Sequence, residues 1–254
     1  MTTNLDRTPS RRLPARGVHN LRDVGGYPTV SNLTTKWGKL FRSDALHGID
    51  ADGRAELAGR GLALVIDLRE TDERTSAPNA LDGVGHREVH LPVYRDGLGT
   101  RGATYTAETL DLGGIYTWML DDHGSALTDA VRLIADSGSD PVLVHCTAGK
   151  DRTGLVIALA LAAVGVDDRD IAADYSLSEL MLAGEWVDAM TAVMAARGLP
   201  AGTDITQIVA SSPAPLMLAT LASLRERHGD VPDYLRAHGM TDTELGNLRV
   251  CLLG

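Results

Sequence analysis

Short apolar runs bounded by turn formers predict three strands in the first part of the chain. Leu62–Leu68 is compact and partly β-branched, the pattern of a strand buried on both faces. Pro141–His145 has the same character and is entered through the turn-rich Asp136-Ser-Gly-Ser-Asp140. Glu88–Val93 mixes polar and apolar positions and is predicted as a more exposed strand. Between these runs, Ala51–Gly61 has helical composition with a glycine stop, and Leu127–Ala135 reads as a helix leading into the Pro141 strand. Leu155–Val164 is apolar on every side, which suits a helix sunk into a core. Beyond it the pattern is almost wholly helical: Asp168–Leu182, Glu185–Arg197, Pro215–His228 and Thr241–Leu252. Strands alternating with helices, followed by a helical half, imply an α/β fold. Its expected form is a mostly parallel central sheet flanked by helices, with a helical cover from the C-terminal half.

At 254 residues the chain is long enough for one large domain, and no repeat or linker divides it. Residues 16–254 are expected to form that domain. Residues 1–15 carry Arg7, Arg11 and Arg12 among polar neighbours and are expected to be a disordered tail. Arg11-Arg12 lacks the apolar segment of a twin-arginine signal, and no apolar run approaches membrane-spanning length. Only 4% of residues are aromatic, so the core must rely on Leu, Val, Ile and Ala. A net charge of -10 disfavours nucleic acid as a partner, although a small site on such a protein can still be locally positive. The two cysteines, Cys146 and Cys251, provide no disulfide framework and point to a reducing compartment. A cytoplasmic location is therefore expected, with signal-less secretion as the alternative.

Candidate chemistry enters with Val142-Leu-Val-His-Cys-Thr-Ala-Gly-Lys-Asp-Arg-Thr-Gly-Leu155. Cys146 follows a strand, and a helix begins near Arg152. Five residues separate the two, among them the small Ala148 and Gly149. Such a loop can curl until successive backbone N–H groups converge on one oxyanion. The following helix adds its own free N–H groups and dipole. A free thiol has a pKa of about 8.5, and donors of this kind stabilise the thiolate that does the chemistry. The same donors, from Thr147, Ala148, Gly149 and Lys150, would hold phosphoryl oxygens as phosphorus approaches sulfur. Arg152 would present a planar fork to two of those oxygens. Thr153 places a hydroxyl where it could donate to the thiolate as it leaves in a second step. His145 is expected to orient the loop through its ring rather than act as a base. These residues spell a phosphatase working through a cysteinyl-phosphate, with Cys146 as nucleophile and Arg152 as clamp.

Simpler readings fit elsewhere. Cys251, in an apolar C-terminal helix, reads as a small buried hydrophobe. A nucleotide-binding loop ending at Gly149-Lys150 would need glycine at 144 and Ser or Thr at 151, where the chain has Val144 and Asp151. His86 and His90 are four apart but lack a third ligand nearby, so neither metal nor cofactor is expected.

His145-Cys-Thr-Ala-Gly-Lys-Asp-Arg-Thr-Gly154 resembles the signature of the cysteine-dependent protein tyrosine phosphatases. Its Gly-Lys-Asp-Arg core is similar to the bacterial branch that holds mycobacterial and listerial tyrosine/lipid phosphatases. Asn20–Tyr27, Leu40–Leu46, Ile66–Glu70 and the tail from Pro213 through Tyr234 to Leu252 resemble further motifs of that branch. The resemblance implies Cys146 as nucleophile and Arg152 as phosphate ligand. Lys150 looks like the extra cation shared with phosphoinositide-cleaving phosphatases, contacting a second phosphate or capping the loop at its rim. Arg22, Asp23, Arg42 and Arg69 lie in these motifs without an assigned role beyond a buried ion-pair network. The leaving oxygen needs a proton from a carboxylic acid. Asp151 is preferred over Asp67, which lies at the C-terminal end of a strand where such sites open, and Asp96 stands third. The structural alternative for Asp67 is pairing with Arg69 or capping a helix. The implied activity is that of a protein-tyrosine phosphatase with dual-specificity or phosphoinositide activity; the alternative is a phosphatase of small metabolites such as nucleoside or inositol phosphates. The intact Cys146 and Arg152 disfavour a non-catalytic phosphate-binding module. The pocket walls are expected from Tyr94–Tyr116 and from the helices between Asp168 and Arg197.

Overall fold

The computed structural model describes residues 11–94, 112–196, 209 and 211–254. Its sheet contains β1 (Arg22–Asp23), β2 (Leu40–Ser43), β3 (Leu64–Asp67), β4 (Arg87–His90) and β5 (Val142–His145), in the order β1-β2-β5-β3-β4. β1 runs antiparallel to β2, and the other pairings are parallel, with Asp67 level with His145. The three predicted strands are β3, shorter at both ends, β4, which starts one residue earlier at Arg87 and stops at His90, and β5, which starts one residue later at Val142. β2 was not among them, because Arg42 and Ser43 give a fully buried strand a polar look.

Side-chain alternation divides the interior in two. Leu40, Leu64, Ile66, Val142 and Val144 face the larger core, and Phe41, Val65 and Leu143 face a smaller one. The smaller core is closed by Leu46, Ile49, Leu81 and Val84, and by Leu57 of α1 (Ala51–Gly59). Asp50 caps that helix by accepting from the Gly53 N–H. Next comes α2 (Thr71–Ser76), opened by a capping box in which Glu70 and Glu73 each accept the other's backbone N–H.

The larger core lies under α3 (Leu112–Asp122), α4 (Gly124–Asp136), α5 (Asp151–Ala163) and α6 (Asp168–Leu182). Every residue of α5 from Arg152 to Ala163 is buried, as its all-round apolar pattern requires. Each Leu, Val or Ile buried there contributes about 2 kcal/mol relative to exposure. After α6 come α7 (Glu185–Ala196), α8 (Ala214–His228), α9 (Val231–Ala237) and α10 (Asp242–Leu252). α8 packs on α6 and α3, and α10 packs on α4, forming the expected helical half. Among the described residues no helix is long and apolar enough to cross a membrane.

The tail assignment needs correction at residues 11–15. Leu13 is buried in the smaller core, and the Arg11 guanidinium lies 4.0 Å from the Tyr27 ring centroid while donating to Asp23 and Gly25 carbonyls. Residues 1–10, Arg197 and most of the stretch between Tyr94 and Tyr116 lie outside the described residues.

Candidate active site

β5 delivers Cys146 to its C-terminal end, and α5 starts at Asp151, so residues 146–150 must reverse direction in a tight loop. Gly149 has φ +64°, and a Cβ there would lie 2.1 Å from the Ser43 carbonyl oxygen, so glycine is required. The loop carbonyls are held from behind. Thr147 O accepts from the Ala45 N–H at 3.0 Å, Ala148 O from Asn20 Nδ2 at 2.9 Å, and Gly149 O from Arg42 Nη2 at 2.5 Å. Lys150 O accepts from the Gly154 N–H at 2.8 Å, and His145 Nδ1 lies 3.3 Å from Cys146 O. Among the described residues, the N–H groups of Thr147, Ala148 and Gly149 have no acceptor.

Arg152 stands over the same loop. Its Nη1 donates to Glu73 Oε2 at 2.6 Å and its Nη2 to Glu73 Oε1 at 2.9 Å, with Thr147 Oγ1 3.3 Å from Nη2. The Thr147 hydroxyl in turn donates to Glu73. The guanidinium carbon lies 5.1 Å from the Tyr94 ring centroid, a cation–π distance. Burial would push the Glu73 carboxyl up. The Arg152 hydrogen bonds and charge outweigh it and, with the Thr147 hydroxyl, hold the group at about 2.

The carboxylates preferred for proton transfer have different surroundings. Asp67 is fully buried, and Arg69 Nε and Nη2 donate to its two oxygens at 2.9 and 2.7 Å. Burial opposes its ionisation, but Arg69 and His145 outweigh that and keep the group below its ordinary range. His145, 3.7 Å from Asp67 and fully buried, is pushed down to about 4 by burial. Asp151 keeps 32% of its side chain exposed. Its Oδ1 accepts from the Tyr116 hydroxyl at 2.6 Å, which lies 2.7 Å from the Tyr175 hydroxyl. Asp96 lies outside the described residues.

A matching profile, the Tyrosine phosphatase family, covers residues 13–254. The chain belongs to that family. It is 30% identical to the triple specificity protein phosphatase PtpB of Mycobacterium tuberculosis over 96% of this chain and 99% of that protein. It is also 31% identical to a tyrosine-protein phosphatase of Nostoc commune, over 80% of this chain and 70% of that protein. The chain is thus a hydrolase of the tyrosine phosphatase family, as its loop sequence implied.

Within this phosphatase the remaining residues fall into place unevenly. Lys150 is fully buried rather than at the rim, and its Nζ donates to Ser211 O at 3.0 Å, 3.6 Å from Asp151 Oδ1. Thr153 is buried at the start of α5, and among the described residues its hydroxyl has no hydrogen-bond partner. His86 and His90 bond to the Val84 and Arg69 carbonyls, and no metal-binding cluster occurs among the described residues. Cys251 donates to the Ile134 carbonyl at 3.2 Å inside the core. Arg22 and Arg42 converge on Asp174 of α6, at 3.1 and 2.6 Å. Burial and the nearby Arg42 lower Arg22 to about 10, while the two cations overcome burial and hold Asp174 below the usual carboxylate range. Glu73 and Asp174 were not singled out from the sequence, and Tyr94 and Tyr116 were named only as the ends of an expected wall segment. The one local signal was for Glu73, the Glu70-x-x-Glu73 spacing of a capping box.

Proposed function

We propose that the chain dephosphorylates phosphotyrosine, and with it phosphoserine/threonine and phosphoinositide esters, through a cysteinyl-phosphate on Cys146. In the first step the Cys146 thiolate attacks phosphorus, the bond from phosphorus to the leaving oxygen breaks, and Asp151 gives that oxygen a proton. In the second step water attacks phosphorus, its proton passes to the Asp151 carboxylate, and the sulfur–phosphorus bond breaks to release inorganic phosphate. The buried Thr153 hydroxyl donates to the departing thiolate. The N–H groups from Thr147 to Lys150 and the Arg152 guanidinium hold the equatorial oxygens throughout.

The observation that carries this reading is the pairing of a tied-back loop after Cys146 with an Arg152 whose plane is fixed by Glu73. That contact uses Nη1 and Nη2 and leaves Nε–H without a partner among the described residues. Exposure favours Asp151 as proton donor: Asp67 is sealed behind Arg69, where no leaving group reaches it. Breadth of substrate is supported by the name of the PtpB relative, a triple specificity phosphatase.

Cys146→Ser tests the mechanism. Turnover should vanish while orthovanadate binding persists, and normal hydrolysis by the variant would sink the covalent route. A kinetic panel on the wild-type protein places the substrate. The highest kcat/KM should fall on phosphotyrosine peptides and phosphoinositides; a maximum on nucleoside or inositol phosphates would make this a metabolite phosphatase instead.

A further inference from the structure

Peptide planarity gives the tied loop carbonyls a consequence for binding. In a trans peptide the C=O of one residue and the N–H of the next point in opposite directions. Anchoring the Ala148 oxygen from behind therefore turns the Gly149 N–H forward, and anchoring the Gly149 oxygen turns the Lys150 N–H forward. The two anchors are side chains distant in sequence, Asn20 before β1 and Arg42 on β2. We infer that Asn20 and Arg42 are positioning residues for the oxyanion nest, acting on substrate only through the Ala148 and Gly149 carbonyls. This rests on residues 146–152 being the phosphate site and gives two motif residues a task at that site, for Arg42 beyond its ion pair with Asp174.

The assignment of donors is fixed by chemistry. Asn20 Oδ1 faces Arg22 Nη1, which can only donate, so Nδ2 is the atom that meets Ala148 O. Asn20 is itself pinned, its N–H donating to Asp44 Oδ1 at 2.9 Å. Arg42 spans two partners, with Nη1 on Asp174 and Nη2 on Gly149 O, and Nη2 lies 3.5 Å from Lys150 O. Both side chains are buried, at 0% and 1% exposure, so water does not compete for the loop carbonyls. Asp174 holds Arg22 and Arg42 together and thereby couples α6 to the nest.

Asn20→Asp is the sharpest test. It keeps the shape and the Arg22 contact but sets a carboxylate oxygen, which cannot donate, against the Ala148 carbonyl. Arg42→Lys keeps the charge but cannot span Asp174 and Gly149 O with one fork. In each folded variant the inhibition constant for orthovanadate should rise roughly tenfold or more, the worth of a hydrogen bond to a charged group. Alkylation of Cys146 by iodoacetate at pH 6 should slow in parallel. Leu248→Ala, in α10, serves as the control that loses stability without touching the loop. If Asn20→Asp does not fold, Asn20→Ser removes the amide without adding charge and is read in the same way. Vanadate inhibition of the wild-type enzyme checks the phosphate site independently. If it is present, and the Asn20 and Arg42 variants lose only Tm as Leu248→Ala does, with vanadate affinity and alkylation unchanged, the proposal is overturned.

Discussion

β3 and β5 lie side by side and end level with one another, yet their C-terminal ends do different things. After β3, Arg69 folds straight back onto Asp67, and its remaining donors go to the Ala77 carbonyl and Asn79. After β5, the loop turns its carbonyls to the scaffold, and Arg152 is held by a carboxylate from the neighbouring α2 rather than by its own strand. Both ends carry an aspartate and an arginine. One is a closed ion pair, fully buried, at the end of an interior strand. The other keeps a partly exposed Asp151 beside a guanidinium whose Nε–H has no partner among the described residues. On the proposed reading, a place at the end of a parallel strand is insufficient for a phosphate site, and what decides is which donors among the described residues remain unsatisfied.

The largest effect should come from exchanging the two aspartates' roles. Asp151→Asn should lower kcat roughly 100-fold or more on tyrosyl or alkyl phosphates and little on an aryl phosphate with a good leaving group. Asp67→Asn should instead cost about 3 kcal/mol of stability, because it leaves Arg69 buried without its counter-charge. It should show no leaving-group dependence. The opposite pattern would move the acid to the end of β3. Vanadate affinity measured alongside separates lost protonation from a disturbed Arg152.

Acid unfolding sharpens the comparison, since His145 sits between the two ends. Its folded value of about 4 lies below the ordinary 6.5, so the unfolded chain takes up the proton first as pH falls. The stabilisation from neutral His145 is complete above about 6.5 and is lost as pH drops toward 4. Glu73, at about 2 against an ordinary 4.5, loses its contribution lower down, between those values. Tm should therefore fall in two stages, with His145→Asn flattening the upper stage and Glu73→Gln the lower. An unchanged slope between pH 6.5 and 4 in His145→Asn would contradict the upper assignment.

The smallest effect concerns Lys150. Because Nζ points at Ser211 O, Lys150→Ala should reduce kcat/KM on an aryl phosphate and on a substrate with neighbouring phosphates by similar, modest factors. A loss confined to the second substrate would restore the lysine to a second phosphate subsite.

Contacts local in sequence were legible, and distant ones were not. The β5–loop–α5 unit could be read because an apolar strand, a small-residue loop and an all-apolar helix follow one another directly. Asp67 could be read only as far as its alternatives, since pairing with Arg69 is itself a local event. Glu73 and Arg152 are 79 residues apart, and Arg22 and Arg42 find Asp174 across 152 and 132 residues, so no window on the chain joins them. α3 was hidden by Gly113 and Gly114, which weaken helical propensity, and β2 by its buried Arg42.

The most direct test of the central claim is to catch the intermediate. A phosphotyrosine substrate mixed rapidly with the enzyme and quenched in acid should leave one phosphoryl group on the peptide containing Cys146. The adduct should be absent in Cys146→Ser and should accumulate when its hydrolysis is slowed. Substrate turnover with no phosphoryl adduct at any quench time, or an adduct on another residue, would contradict the cysteinyl-phosphate mechanism.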